Sequence, residues 1–235
     1  MENDTILNLE KELTGKKPEE IINYISQKYS GRVAFSTSLG LEDQALTDMI
    51  VKTGKPVKIF TLDTGRLFPE TYDLIHKTNK RYNLNIDIYF PDYKDVEKMT
   101  GKKGINLFYE SVENRKLCCH IRKIVPLQRA LAGSEIWISG LRREQSVTRE
   151  NNQLVEWDEK FKIIKVNPLL NWSLKEVWDY IKENNVPYNP LHDKNFPSIG
   201  CQPCTAPVEK GEDIRKGRWW WEDSSGKECG LHLKK

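Results

Sequence analysis

Five cysteines are spread over 235 residues, and their spacing is the first chemical signal in the sequence. Four form two tight pairs, the adjacent Cys118-Cys119 and the motif Cys201-Gln202-Pro203-Cys204. Two close thiol pairs far apart in the chain suit a metal or iron–sulfur site. Zinc is the competing occupant, because its sites commonly join two Cys-x-x-Cys loops around one tetrahedral ion. An adjacent Cys-Cys is awkward for such an ion and unusual for a cubane, although two neighbouring irons offer more room. Spacing alone leaves both open. The fifth thiol, Cys229, lies between Gly226 and Gly230, with His232 three residues on. A thiol there has little to pack against, which points to a reactive group, with an incidental exposed thiol as the alternative.

Cations accompany the cysteines. The run from Asn114 to Ser134 holds Arg115, Lys116, Arg122, Lys123 and Arg129 and no acidic residue. On a helix, Cys119 shares a face with Arg122 and Lys123. A cluster held by four thiolates is anionic, so Lys123 is placed to bridge it electrostatically to an anionic substrate; a solvated basic face is the plainer reading. Arg215 and Arg218 precede Trp219-Trp220-Trp221. Three indoles in a row either stack on a base or anchor a loop that has no core of its own.

The elements that position these groups alternate. Ile6, Leu9 and Leu13 predict a short leading helix, and Pro18 opens a second that buries Ile21, Ile22, Ile25 and Tyr29. Strands are predicted over 32–36, 57–62, 86–90 and 135–139, with helices over 42–51 and 69–82. A charged helical stretch over 92–114 is expected to break at Gly101 and Gly104, and the helix over 121–131 to kink or restart at Pro126. Residues 154–169 read as a hairpin around Asp158-Glu159-Lys160, and Ser173 with Glu176 forms a capping box. Beyond Pro187 the chain reads as irregular. Strands alternating with helices imply an α/β fold, Rossmann-like, with a mainly parallel sheet and helices on both faces.

Three strand ends are then expected at one edge of the sheet, where such folds bind ligands. The turn Ser36-Thr37-Ser38-Leu39-Gly40 offers hydroxyls and N–H groups at a helix start, which suits phosphate or sulfate. It lacks the Ser-Gly-Gly-x-Asp-Ser form of ATP pyrophosphatases, keeping only Gly40, and that counts against ATP cleavage. Leu62 and Asp63 end the second strand. Gly140, Arg142 and Arg143 leave the fourth, where two guanidiniums are able to grip an oxyanion or simply to be solvated.

A net charge of +3, from 37 basic and 34 acidic residues, does not suggest a nucleic-acid binder. No apolar run reaches membrane-spanning length and no signal peptide is evident, so a cytoplasmic protein is expected. Five cysteines in that compartment favour metal ligation or catalysis over disulfides.

Together, the Cys-Cys…Cys-x-x-Cys pattern, Glu228-Cys229-Gly230-Leu231-His232, Gly140 to Ser146 and Thr61-Leu62-Asp63-Thr64-Gly65 resemble the assimilatory adenylyl-sulfate reductase family, a close relative of the phosphoadenylyl-sulfate reductases. The resemblance runs from about Glu19 to His232. It implies an adenine nucleotide alpha hydrolase-like fold with a cysteine-bearing lid, divided into a reductase domain over 1–206 and a mobile tail over 207–235. It implies a [4Fe–4S] cluster on Cys118, Cys119, Cys201 and Cys204. Leu62 and Asp63 would lie beside the adenosine, while Arg215, Arg218 and His232 contact the phosphosulfate. The activity implied is reduction of adenylyl sulfate to sulfite and AMP. In that reading Cys229 is the nucleophile, carrying an S-sulfocysteine, and thioredoxin or glutaredoxin is the donor. Use of the 3′-phosphorylated nucleotide and a homo-oligomeric state are left open. A zinc-stabilised ATP pyrophosphatase or sulfurtransferase, and an iron–sulfur redox sensor without enzymatic activity, are the competing classes.

Overall fold

Strand and helix follow one another along the chain much as the hydrophobic periodicity predicts. The computed structural model describes residues 2–145, 149 and 151–222. Helices α1 (Glu2–Leu13) and α2 (Pro18–Lys28) lead into β1 (Val33–Ser36), α3 (Leu41–Thr53), β2 (Lys58–Leu62), α4 (Pro69–Tyr82) and β3 (Asp87–Tyr89). Then come α5 (Tyr93–Lys103), α6 (Val112–Cys119), α7 (Val125–Leu131), β4 (Ile136–Ile138), β5 (Val155–Asp158), β6 (Ile163–Val166) and α8 (Leu174–Glu183). Among the described residues no helix is long and apolar enough to cross a membrane.

The six strands form one sheet in the order β3-β2-β1-β4-β6-β5. β1 runs parallel to both β2 and β4, β4 is parallel to β6, and β5 pairs antiparallel with β6. Phe35 stands opposite Ile59 on one side and Ile138 on the other. The chain leaves β1 in one direction and returns to its other flank through β4, so the turns after β1 and β4 meet at a topological switch point. In the β5–β6 hairpin the Asp158 carboxylate accepts N–H bonds from Lys160 (3.1 Å) and Phe161 (3.0 Å), which closes the turn.

The chain divides into two compact units. The first comprises Met1–Thr61, Asp73–Asp87 and Leu131–Asn189; the second comprises Leu62–Tyr72, Ile88–Ala130 and Pro190–Lys235. The core of the first unit joins Leu9 and Leu13 of α1, Ile21, Ile22 and Ile25 of α2, Leu46 and Met49 of α3, and strand residues such as Val33, Phe35, Ile136 and Val166. The predicted capping box opens α8, with the Ser173 N–H donating to Glu176 at 2.7 Å and the Glu176 N–H to Ser173 Oγ at 3.2 Å. In the second unit a smaller core gathers Met99, Leu107, Phe108, Cys118, Cys201, Cys204 and Trp219.

One local expectation changes, and another takes one of its two forms. α5 runs through Gly101 and stops at Gly104, which takes a positive φ of 79° that a side chain would resist. Of the kink or restart expected near Pro126, the chain takes the restart: α6 passes into a π turn over His120–Ile124, and α7 begins with Pro126 as its second residue. At a helix start the missing proline N–H costs little, because that donor has no partner there anyway.

Candidate functional site

The second unit brings the four paired cysteines together. α6 starts at Ser111, whose hydroxyl accepts the Asn114 N–H at 3.1 Å, and it turns Arg115, Cys118 and Cys119 inward. The π turn then widens the helix: the Val125 N–H reaches back five residues to the His120 carbonyl. Such wide turns cluster at functional sites because they redirect side chains that regular α spacing would send elsewhere. Arg122 and Lys123, expected on the Cys119 face by α spacing, line the same cavity as Cys119 through this altered geometry.

A short 3₁₀ turn, Gln202–Cys204, holds the other pair. The Gln202 N–H donates to the Arg66 carbonyl (2.8 Å), Thr205 Oγ1 to the Cys201 carbonyl (2.9 Å), and the Trp219 N–H to the Cys204 carbonyl (3.1 Å). Thr64 Oγ1 lies 3.2 Å from Cys201 Sγ. All four cysteines are buried free thiols lining one cavity. Among the described residues, Arg66, Phe108, Arg115, Arg122, Lys123, Pro203 and Trp219 also line it, with no carboxylate among them. Among the described residues no group of three or more His, Cys, Asp or Glu side chains is set to hold a single metal ion.

Arg66, Arg122 and Lys123 on this wall, beside an Arg115 already paired with Glu222, favour negative charge among the buried thiols. Burial pushes the Cys118 thiol up against the pull of Arg122. Burial and the neighbouring Cys201 push Cys204 up to about 12. Burial raises Cys201 too, but Lys123, the Thr64 contact, Arg218 and Arg122 outweigh it and leave that thiol below its ordinary value. The Nε–H groups of Arg122 and Arg218 are buried without an acceptor among the described residues, although Arg122 Nη1 donates to the Thr64 carbonyl at 2.6 Å. Arg218 packs so tightly on Gly200 that a Cβ there would overlap its guanidinium. It stands 4.9 Å over the Trp219 ring, with Arg215 6.0 Å from the same ring.

The predicted anion turn of the first unit is brought together with the end of β4, though the N–H groups of residues 37–40 and the Ser38 hydroxyl already have acceptors. Ser36 Oγ accepts the Trp137 indole N–H (2.8 Å), and the Thr37 N–H pairs with the Phe60 carbonyl (2.8 Å). Both the N–H and the hydroxyl of Ser38 donate to Asp43 Oδ2 at 2.6 Å. Leu39 takes a positive φ of 60°, and Gly40 caps α3. Gly140 must be glycine, because a Cβ would overlap the Asp43 carboxylate. Arg142 is buried on Glu42 at 2.9 Å and Glu144 at 3.5 Å. Arg143 donates to Asn171 Oδ1 and to the Asn152 carbonyl (3.2 Å). Both arginines that sequence reading offers to an oxyanion therefore have protein partners.

Burial raises the Asp43 carboxyl to about 6, with Glu42 adding to the rise and the Ser38 hydrogen bonds and Arg149 opposing it. A folded pKa above the unfolded one contributes stability that is complete below about pH 4 and is lost as pH rises through 6. We expect Asp43→Asn to remove this slope, on the order of 2–3 kcal/mol, and so to be the more stable protein at pH 7. Denaturation midpoints of both proteins between pH 4 and 8 check it; parallel profiles would refute the assignment.

In the second unit, Leu62 is partly buried and Asp63 is buried. The Asp63 carboxylate accepts from the Gly65 N–H (2.7 Å) and the Tyr72 hydroxyl (2.9 Å). Cys229 and His232 lie outside the described residues. Sequence reading singled out neither Thr64 nor Glu222, which pairs with Arg115. Thr64 stands in the segment Thr61 to Gly65, whereas Glu222 carries no local sequence signal.

The profile of the family described as phosphoadenosine phosphosulfate reductase domain matches residues 32–207. A protein of Burkholderia cepacia named adenosine 5′-phosphosulfate reductase is 46% identical over 235 residues, 99% of this chain and 94% of that one. Its namesake from Allochromatium vinosum is 50% identical over 200 residues, 85% and 78% of the two chains. Among solved structures, a phosphoadenylyl-sulfate reductase of Candida auris in a phosphate complex aligns with a TM-score of 0.72 and 34% identity, covering 86% of this chain and 96% of that one. The adenylyl-sulfate reductase resemblance and the predicted fold class both hold. The chain belongs to the phosphoadenosine phosphosulfate reductase family, and with it to the oxidoreductases that act on sulfur.

Proposed function

We propose that this protein reduces adenylyl sulfate to sulfite and AMP in sulfate assimilation, drawing electrons from an external dithiol protein. The observation that carries the reading is one cavity in which four buried thiols face Lys123, Arg122 and Arg66, with no carboxylate among its described lining residues. Relatives at 46% and 50% identity named adenosine 5′-phosphosulfate reductase support the substrate.

The donor set fits a [4Fe–4S] cluster held by Cys118, Cys119, Cys201 and Cys204. Four soft sulfur donors line one cavity, and the Arg122 Nε–H on the same wall, buried without an acceptor among the described residues, is placed to donate to an anionic group. When bound, the cluster supplies a fixed negative charge that keeps the surrounding cations ionised and oriented. Anaerobically purified protein should contain about four irons per chain, and Cys→Ser at any of the four positions should abolish that content. Stoichiometric zinc in a colourless, active preparation would refute the assignment.

The chemistry falls to the tail. The Cys229 thiolate attacks the sulfate sulfur, the bond from sulfur to the bridging phosphate oxygen breaks, and AMP departs with that electron pair. Lys123, Arg215, Arg218 and His232 offset the charge that builds on the transferring group. A thiolate of the donor then attacks Cys229 Sγ, and sulfite leaves with the bonding pair. The donor's second thiol resolves the mixed disulfide, so two thiols are oxidised for each sulfate reduced. With four cysteines assigned to the cluster and one to attack, the sequence holds no sixth thiol for that step, and thioredoxin or glutaredoxin is the proposed source. Leu62 and Asp63, in the same unit as the thiol cavity, are the proposed nucleotide contacts. The proposed boundary between reductase domain and tail is 206/207. With reduced thioredoxin, adenylyl sulfate should give sulfite and AMP one to one, with a higher kcat/KM than the 3′-phosphorylated nucleotide. Failure to release sulfite from either nucleotide would overturn the proposal.

A further inference from the structure

One buried contact takes no part in the chemistry above. Arg115 lies one turn before Cys118 on α6 and lines the cysteine cavity. Its Nε donates to Glu222 Oε1 and its Nη2 to Glu222 Oε2, both at 2.8 Å. The side chains are 1% and 9% exposed. The guanidinium lies 4.5 Å over the Trp219 ring, and the Glu222 N–H donates to the Trp219 carbonyl at 2.8 Å. Trp221 packs against Tyr109 and Phe108, with ring centroids 4.4 and 5.9 Å apart.

A two-pronged guanidinium–carboxylate fork admits essentially one mutual placement of its groups. Buried ion pairs are weak contributors to net stability compared with apolar packing, and what they do well is to specify geometry. Here the fork ties the helix carrying Cys118 and Cys119 to a residue 107 positions away. Cys229 lies seven positions beyond Glu222, a reach of at most about 25 Å even for fully extended chain. The point from which that reach is measured is set by Arg115.

We propose that Arg115 and Glu222 are positioning residues for the transfer step, fixing the start of the C-terminal segment to the cysteine-bearing helix so that Cys229 meets the sulfate sulfur from a defined point. This rests on the reading of Cys229 as nucleophile. A positioning role predicts that loss of the pair slows transfer without weakening binding.

The test is single-turnover formation of the Cys229 sulfonate, followed by mass spectrometry in the full chain, with iron content and nucleotide affinity measured alongside. Glu222→Gln should keep its iron, bind AMP within twofold of the unaltered protein, and form the adduct at least tenfold more slowly. A normal rate with iron retained overturns the positioning role and leaves the nucleophile assignment intact. No adduct in the unaltered protein overturns both. If Glu222→Gln loses iron, the double variant Arg115→Met/Glu222→Met, which keeps apolar stems packed without charge, is judged by the same criteria. Iron loss in that variant too would make the pair a folding element of the cysteine site and defeat the proposal.

Discussion

Given adenylyl sulfate and no thiol donor, the protein should release about one AMP per active site and then stop. The burst follows from the cysteine count: five thiols, four of them in the buried cavity, leave only Cys229 to attack and none to resolve the adduct. Mass spectrometry should find one added sulfonate, on the peptide containing Cys229. Reduced thioredoxin should discharge it as sulfite and restart turnover, because a dithiol removes the resulting mixed disulfide intramolecularly. Cys229→Ser should retain its iron and bind nucleotide while showing neither burst nor adduct. Sustained AMP release without added thiol, or a sulfonate on another cysteine, would require a different nucleophile.

Lys123→Ala should keep the cluster yet lose roughly 30- to 1,000-fold in kcat, the equivalent of about 2–4 kcal/mol for a cation placed on developing charge. Lys123 lines the thiol cavity and lies near both Cys201 and Cys204, but it ligates nothing, so iron content and turnover should separate in this variant. Lys123→Arg should recover part of the loss, since it restores the charge but not the compact ammonium. Normal turnover in the alanine variant would make Lys123 a bystander.

Much of this protein is legible without coordinates. Period-2 and period-3.6 apolar patterns carry the α/β order because a buried face must repeat with the backbone's own geometry. Thus Phe35, Leu46, Ile136 and Val166 are core residues in the structure as in the pattern. The Cys-Cys and Cys-x-x-Cys pairs are likewise visible, because ligand spacing within one turn is a local property.

What sequence could not set depends on contacts between distant segments. The π turn at His120–Ile124 is one such feature: no residue in His-Ile-Arg-Lys-Ile demands it, and only packing around the cavity selects it over an ordinary helix. The strand-end arginines are another. Arg142 and Arg143 are suited by type to an oxyanion, yet Glu42 and Asn171, 100 and 28 residues away, are their partners. Asp43, out of register with the pyrophosphatase pattern, takes the Ser38 donors and makes glycine necessary at position 140. Glu222 looks like any surface carboxylate until the fold buries it on Arg115. Residue type and local spacing determine which chemistry a chain has available; burial and partnering, which are long-range, decide which of those groups hold the fold and which are left for a ligand.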